Sequence, residues 1–238
     1  MRVVSLLPAA TEIVAALGDL TLLVGISHEC DFPPSIVHLP RVTTTPVNLD
    51  APGVEIDREV RRVREAGKPI IGVDAAQLRR LSPDLIITQD LCEVCAVGEG
   101  QVRNLAASFH PAPAVLSLKA RDLPGIWSDI QAVGAALNMV DEAEELVLGL
   151  QSRLRRLDRS RAPQPARVLC VEWLDPLYLA GHWMPQLVAA AGGDDVGSAA
   201  GAPSMRSEWP ISRDSVLTTS SLPCVGSDST ARGRSSIA

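Results

Sequence analysis

Two short stretches of the sequence carry side chains that could bind a metal ion or react as thiols. The first, "TQDLCEVC", contains Cys92 and Cys95 in Cys-x-x-Cys spacing, and the second, "SHECDFP", contains His28 and Cys30. Two thiolates at this spacing can share one ion or form a redox pair. With His28 and Cys30 they could make a Cys3His set, while packing of both cysteines as small apolar groups stays equally open.

Both stretches directly follow short apolar runs, "PDLIITQ" and "LLVGI". Similar runs, "RVVSLL", "KPIIGV" and "AVLSL", alternate with helical patterns over the first 120 residues. Continuous apolar strands separated by helices indicate a parallel sheet that is buried on both faces. Ligand-facing loops of such sheets lie at the carboxyl ends of the strands. We therefore expect an α/β fold in which both stretches line the same edge of one sheet.

The remaining chain divides into a connector, a second lobe and a tail. Residues 1–120 are predicted to form the first α/β lobe, and residues 121–162 a helical connector. Its second helix, from Asp141 to Arg159, starts with a capping-box-like Asp141 and Glu144 and would be about 28 Å long. Residues 163–206 read as part of a second α/β lobe. Residues 207–238 are rich in Ser, Thr and Arg without periodicity, so we expect them to be disordered or foreign to the fold.

Composition and charge exclude several classes of function. Hydrophobic residues make up 46% and charged residues 21% of the chain, which is typical of a soluble globular protein. A net charge of −6 argues against nucleic acid as a partner. No apolar run reaches the roughly 18 residues of a membrane span, so we expect no membrane insertion. No Gly-rich phosphate motif is present, which disfavours a nucleotide-dependent enzyme. Five cysteines do not suggest a disulfide framework.

Four stretches resemble the class III solute-binding proteins of ABC importers, which carry vitamin B12, heme and ferric siderophores. "VVSLLPAATEIVAALG" is similar to the opening strand, loop and helix of that family, and "LVGISHECDFPPSI" to its second strand and Asp-aromatic-Pro-Pro loop. "LRRLSPDLIITQ" resembles the unit that leads into the ligand cleft, and "LAGHWMPQLVAAAGGDDV" a helix of the second lobe that ends in paired glycines. The resemblance covers residues 2–196, and "SHECDFP", "LCEVC" and "EWLDPLYLAGHW" are closest to the cobalamin branch.

The resemblance implies two Rossmann-like lobes with parallel sheets, joined by a long helix, with the second lobe incomplete. It implies a monomeric binding protein rather than an enzyme, which requires no cofactor. The protein would hold a corrinoid such as cobalamin, or another large metal chelate, between its lobes and pass it to an ABC permease. The implied cleft residues are Pro8, Ala9, His28, Glu29, Cys30, Asp31, Asp90, Leu91 and Cys92 in the first lobe and Trp173, His182 and Trp183 in the second.

Two histidines and two tryptophans are the candidates for direct ligand contact. His28 could ligate cobalt through a neutral imidazole, with Glu29 and Asp31 holding the ring, or it could simply line the pocket rim. The same alternatives apply to His182. The flat faces of Trp173 and Trp183 suit a corrin ring, while core packing is the competing interpretation. The candidate metal ligands are His28, Cys92 and Cys95.

One acidic residue is the candidate for contact with a permease. In the importer family a glutamate on each lobe pairs with permease arginines, and Glu99 in "GEGQVRNLAAS" best matches the glutamate of the first lobe. A solvated surface role is the alternative for this side chain.

Two departures from the family leave other functions open. The chain starts almost on its first strand, so we expect a cytoplasmic protein as the sequence stands, and a periplasmic or extracytoplasmic one if the start is misassigned. The second lobe is short, and a frameshift from about Ser207 would explain its Ser-rich tail. The rival functions are a thiol- or metal-dependent enzyme and a nonfunctional truncated product. The enzyme would be built on Cys30, Cys92, Cys95 and His28.

Overall fold

The computed structural model describes residues 1–90, 97–158, 164–208 and 218–221 of the 238-residue chain. The first lobe is described over residues 1–90 and 97–118, and these residues contain six strands, four α-helices and two short 3-10 turns, Leu20–Leu22 and Pro34–Ile36. In chain order its strands and helices are β1 (Val3–Ser5), α1 (Pro8–Leu17), β2 (Leu23–Gly25), β3 (Thr43–Thr44), α2 (Gly53–Glu65), β4 (Gly72–Val73), α3 (Ala75–Leu81), β5 (Leu85–Gln89), α4 (Glu99–Ala106) and β6 (Ala114–Leu118).

Two helices connect this lobe to a second one. The connector consists of α5 (Leu123–Leu137) and α6 (Val140–Asp158). The described elements of the second lobe are β7 (Ala166–Leu174), β8 (Leu177–Leu179), α7 (Met184–Ala190), β9 (Gly193–Asp195), β10 (Met205–Arg206) and β11 (Thr218–Ser221).

The first lobe is built on a four-stranded parallel sheet with the order β2-β1-β5-β6. Successive residues of its central strands point to opposite faces. Val3 and Ile87 pack in the cluster formed with α1, α5 and α6, whereas Val4 and Ile86 pack in the cluster formed with α3 and α4. All four side chains are fully buried. The predicted parallel sheet with two covered faces is therefore confirmed.

One predicted strand lies elsewhere. The run "KPIIGV" was expected to add a strand to the parallel sheet, but only Gly72 and Val73 form a strand, β4. This strand pairs antiparallel with β3 in a separate two-stranded sheet. Ile70 and Ile71 are buried against Val42 and Val47, which lie on the α3 side of the main sheet. The run is apolar because it covers that face rather than because it continues the sheet.

The connector is a closely packed helical hairpin. The α5 helix buries Ile130, Val133 and Leu137, which recur at helical spacing along one face. A Cβ atom on Gly134 would collide with the Cβ of Ala143 in α6 and lie 2.7 Å from the carbonyl oxygen of Met139, so only glycine permits this approach. The α6 helix spans 19 residues, begins one residue before the predicted Asp141 and ends one before Arg159. No described helix is long and apolar enough to cross a membrane.

The second lobe contains a mixed sheet rather than the parallel sheet expected from the resemblance. Strand β7 pairs in parallel with β9 and β11, and antiparallel with β8, which in turn pairs antiparallel with β10. The register is irregular between Val171 and Trp173, which is the mark of a β-bulge. Val171 opposes Leu179, whereas Trp173 opposes Tyr178. The irregularity therefore directs Trp173 to the face of the sheet opposite to that of Val171.

The last described strand lies in the segment that the sequence predicted to lack structure. Residues 218–221 form β11, which runs parallel to β7 from Val168 to Val171. Val168 pairs with Thr218 on one edge of β7 and with Asp195 of β9 on the other. Strand β7 is thus an interior strand. The expectation of disorder does not hold for these four residues, and the alternative that residues 207–238 are foreign to the fold stays a prediction.

Candidate functional site

The loops that follow β1 and β2 meet at the carboxyl edge of the first sheet. Pro8 and Ala9 begin α1 at this edge and are half-buried and exposed, respectively. One turn further, Thr11 Oγ1 donates a hydrogen bond to Ser5 Oγ at 2.8 Å and lies 3.1 Å from Cys30 Sγ. Cys30 is 1% exposed, and burial raises the pKa of its thiol. This thiol therefore lies in the core beside α1 and not on the surface of the loop.

His28 is held by a hydroxyl of the neighbouring strand β3. Thr43 Oγ1 accepts a hydrogen bond from the backbone N–H of His28 at 2.9 Å and lies 2.7 Å from its Nδ1. The same oxygen lies 3.0 Å from Ser27 Oγ. His28 Nε2 is buried and has no hydrogen-bond partner among the residues that the structure describes. When Nδ1 carries the ring proton and donates it to Thr43, Nε2 presents a free lone pair, which is the tautomer that binds a metal through Nε2.

The surroundings of His28 favour its neutral form. Burial lowers the pKa of the imidazole, and the nearby positive charge of Arg41 lowers it further. The Arg41 guanidinium donates hydrogen bonds to the carbonyl oxygens of Ser27 (2.8 Å) and Cys30, which fixes the loop on both sides of His28. A neutral imidazole is the form that ligates metals, so the electrostatics and the geometry agree.

Acidic side chains surround the same loop. Glu29 is half-buried, and burial raises the pKa of its carboxyl group. Glu12, one turn into α1, also has a raised pKa, first because of burial and second because of the negative charge of Asp31. Asp31 itself is exposed. The predicted residues of the first two loops are therefore brought together, and the site carries acidic groups beside a neutral imidazole.

The third predicted loop is described only at its two ends. Asp90 follows β5, is exposed, and its N–H donates to the carbonyl of Leu118 at 2.9 Å. Leu91, Cys92 and Cys95 lie outside the described residues. Within the described ranges, no group of three or more His, Cys, Asp or Glu side chains is arranged to hold a metal ion. The predicted cysteine ligands stay predictions.

Glu99 is the first residue of α4 and is paired within its own helix. Its Oε1 lies 2.5 Å from Arg103 Nη2, and this hydrogen bond holds the pKa of the carboxyl below its ordinary value. The Glu99 side chain is 20% exposed. A permease arginine would therefore compete with Arg103 for this carboxylate.

The second lobe places His182 and Trp183 at the start of α7. The backbone of His182 has φ of 54° and is fixed by two bonds, from its N–H to Ala202 O (2.6 Å) and from Gly201 N–H to its own carbonyl (2.8 Å). Within the described ranges, His182 Nδ1 is buried without a hydrogen-bond partner, as is Nε2 of His28. The rings of His182 and Trp183 lie 5.8 Å apart at an interplanar angle of 36°. Each lobe thus contributes one imidazole with an unused, buried nitrogen.

The α7 segment is tied to the connector beside the first sheet. Gln186 Oε1 accepts a hydrogen bond of 2.7 Å from the N–H of Leu123, the first residue of α5. Leu123 follows β6 by a short loop, whose N–H groups at Lys119 and Ala120 donate to the buried carboxylate of Asp129. The start of α7 therefore lies close to the carboxyl edge of the first sheet, where the predicted loops end.

Trp173 opposes Tyr178 in the middle of β8 and faces the first lobe, whereas His182 follows β8 and adjoins α7. A Cβ on Gly53, at the start of α2, would lie 2.8 Å from its indole Nε1. Tyr178, the cross-strand neighbour of Trp173, donates its hydroxyl to Asp57 Oδ1 of α2 at 3.3 Å. Trp173 and His182 therefore do not share one patch, and α2 contacts the second lobe directly.

The sequence analysis missed α2 and the side chains that support His28. Ile56, Val60 and Val63 recur at helical spacing between charged residues, and this signal would have predicted the helix. The roles of Thr43 and Arg41 depend on contacts between segments more than ten residues apart, which no local pattern reveals.

Comparisons with known proteins identify the fold. Models of protein families give no match, and curated proteins give none either. Among solved structures, the periplasmic heme-binding protein HutB of Vibrio cholerae superposes with a TM-score of 0.63 at 19% identity, over 87% of this chain and 70% of that one. The periplasmic vitamin B12-binding protein BtuF of Vibrio cholerae gives 0.59 at 22% identity, over the same shares. The chain has the class III solute-binding-protein fold.

A third solved structure with this fold is a possible iron-binding, periplasmic solute-binding protein of Staphylococcus epidermidis. It gives a TM-score of 0.59 at 16% identity, over 92% of this chain and 76% of that one. All three are binding proteins rather than enzymes. Because the identities are below 25%, the likeness fixes the solute-binding-protein fold and not the ligand.

Proposed function

We propose that this protein is the substrate-binding component of an ABC-type uptake system and that its ligand is a corrinoid held between the two lobes. The imidazole of His28 carries the proposal. Its Nε2 is buried and has no hydrogen-bond partner in the described part of the chain, its Nδ1 is held by Thr43, and its surroundings lower the pKa of the ring. Such a nitrogen can serve as an axial ligand to the cobalt of a corrinoid.

Aromatic and apolar groups would supply most of the affinity. Ligand sites of this kind are lined mainly by apolar and aromatic side chains, with a few polar groups that orient the ligand. Trp183 and the ring of His182 stand side by side at the start of α7. Pro8 and Ala9 offer small apolar surface at the facing edge of the first sheet. A large planar ligand could contact both sets of side chains.

Heme is the second candidate ligand, because a neutral imidazole also ligates iron. A heme-binding and a vitamin B12-binding protein share this fold with the chain at similar identities. The thiol-enzyme alternative is disfavoured because burial raises the pKa of Cys30 and removes its thiol from the loop surface. Reactive cysteines have lowered pKa values and partial exposure.

The experiment that tests this function is a spectral titration of the full chain with hydroxocobalamin and, separately, with hemin. We expect a shift of the visible bands with one of them in the wild-type protein. We expect no shift, and an affinity at least about tenfold weaker, in a His28→Ala variant. His38→Ala is the matched control because His38 is exposed in the same loop region.

An identical spectral shift in the wild type and in His28→Ala would refute the role of His28. If the wild-type chain binds neither hydroxocobalamin nor hemin, the proposed ligand class is refuted.

A further inference from the structure

A groove of about 460 Å³ lies between α2 of the first lobe and β10 of the second. Its polar wall is dominated by arginines, three of them on α2 and one on β10. The charged side chains that line it are Arg58, Arg61, Arg62 and Arg206, with Asp57 and Glu65. Four positive charges and two negative ones leave an excess of two positive charges in a protein whose net charge is −6.

Most of these guanidinium groups lack an acidic partner. Arg61 pairs with Asp57 at 2.5 Å, and Asp57 also accepts the hydroxyl of Tyr178. In the part of the chain that the structure describes, Arg58, Arg62 and Arg206 form no ion pair. Like charges gathered in one groove repel one another unless an anion joins them. The groove is therefore a place where an anion would gain favourable interactions.

A row of cross-strand neighbours forms the wall that the second lobe contributes. Tyr178 pairs with Trp173 on one side and with Arg206 on the other, so the three side chains project from the same face of the sheet. The Tyr178 hydroxyl reaches Asp57 of α2, and the Trp173 indole lies against Gly53. This face therefore points toward α2, and Arg206 faces the arginines of α2 across the groove.

We infer that the groove binds an anionic substituent, a carboxylate or a phosphate, of the ligand that the two lobes hold. The inference rests on the proposed function for the identity of that ligand. Arginine binds both groups through two parallel N–H···O bonds, so guanidinium groups suit carboxylate and phosphate oxygens equally. Because the arginines come from both lobes, the bound anion would join the lobes on the α2 side. Corrinoids with a nucleotide loop carry a phosphate, and heme carries two carboxylates.

The test compares pairs of ligands in which one member carries the anionic group and the other lacks it. The full chain is titrated at low salt with hydroxocobalamin and with cobinamide, which lacks the nucleotide loop and its phosphate. A second pair is hemin and its dimethyl ester. The variant is Arg62→Gln with Arg206→Gln, and the control is Arg64→Gln with Arg80→Gln, which removes the same charge from exposed sites outside the groove.

We expect the wild type and the control to bind the member of each pair that carries the phosphate or the free carboxylates about tenfold or more tightly than the member that lacks them. The groove variant should lose this preference and keep the spectral shift that reports ligation by His28. Equal preference in the groove variant and in the wild type would overturn the inference while leaving the proposed function standing.

Citrate titrated by calorimetry separates the two proposals if neither macrocycle binds. Citrate binding by the wild type that disappears in the groove variant would support the groove and refute only the proposed ligand. Identical citrate titrations in both proteins, or no citrate binding at all, would then refute the groove as well.

Discussion

Replacing Thr43 with valine tests whether the first lobe positions His28 as described. Thr43 is 1% exposed, and its hydroxyl oxygen contacts three polar groups. It contacts the backbone N–H of His28 at 2.9 Å, the ring Nδ1 at 2.7 Å and the Ser27 hydroxyl at 3.0 Å. Valine has nearly the same shape, so Thr43→Val removes these interactions without opening a cavity.

The magnitude follows from the three lost contacts. A hydrogen bond contributes about 1 kcal/mol net to stability, and a buried group left without a partner costs about 1–3 kcal/mol. His28 is half-buried as a residue, whereas Ser27 is 1% exposed, so the Ser27 hydroxyl cannot exchange its lost contact for water. We therefore expect Thr43→Val to lower the free energy of unfolding by about 2–3 kcal/mol. Loss of a group that orients a metal ligand costs about 10–100-fold in affinity, and we expect that loss for hydroxocobalamin.

Urea unfolding followed by circular dichroism measures the first effect, and the spectral titration measures the second. For a slope near 2 kcal/mol/M, the expected change moves the midpoint by about 1 M. Thr44→Val is the control, because Thr44 is the adjacent exposed residue of β3 and should change stability by less than about 0.5 kcal/mol. Equal midpoints for the two variants would refute the assignment of Thr43 as the residue that fixes His28.

Three further predictions follow from packing and burial. Gly134→Ala should lower stability by about 1–3 kcal/mol because of the collision with Ala143. Gly149→Ala, in open space on α6, should raise it by up to about 1 kcal/mol. A higher melting temperature for Gly134→Ala than for Gly149→Ala would contradict the described packing of α5 against α6. Burial raises the pKa of Glu29, so its contribution to stability is full below an unfolded pKa near 4.3 and is lost as pH rises through the folded pKa. In thermal melts from pH 4 to 8, Glu29→Gln should abolish the loss of stability that the wild type shows as pH rises. A variant with the same pH profile as the wild type would contradict this role of Glu29. Cys30 should react with a thiol reagent only after denaturation, and mass-spectrometric labelling of the native protein at this residue would show that it is exposed.

The sequence predicts the first lobe and the connector well because their patterns are local. The strands around Val4 and Ile86 read as apolar runs, since both faces of a parallel sheet are covered. The α5 and α6 helices each show one apolar stripe, and both ends of α6 fall within one residue of the prediction. By contrast, the run that includes Ile70 and Ile71 has the composition of a strand but packs over one face of the main sheet. Only tertiary packing decides whether such a run joins the sheet or covers it.

The candidate site was predicted less completely. The loop "SHECDFP" was predicted at the edge of the sheet, and it lies there. Two residues within this loop nevertheless have different surroundings. His28 presents an unused nitrogen, whereas the thiol of Cys30 packs against Thr11 in the core. An irregular register in β7 turns Trp173 toward α2 and away from His182, and strand alternation alone would not reveal this. The charged groove depends on the contact between α2 and β10, which are far apart in the chain.

The most direct test of the account is the amount of hydroxocobalamin that the wild-type chain binds at equilibrium. Dialysis against the corrinoid, followed by the visible spectrum of the retained protein, measures the stoichiometry and the axial ligation together. The account predicts one equivalent bound, with bands shifted from those of the free corrinoid in a way that requires His28. Retention of no corrinoid, or of corrinoid with an unshifted spectrum, would contradict the claim that His28 ligates a corrinoid between the lobes.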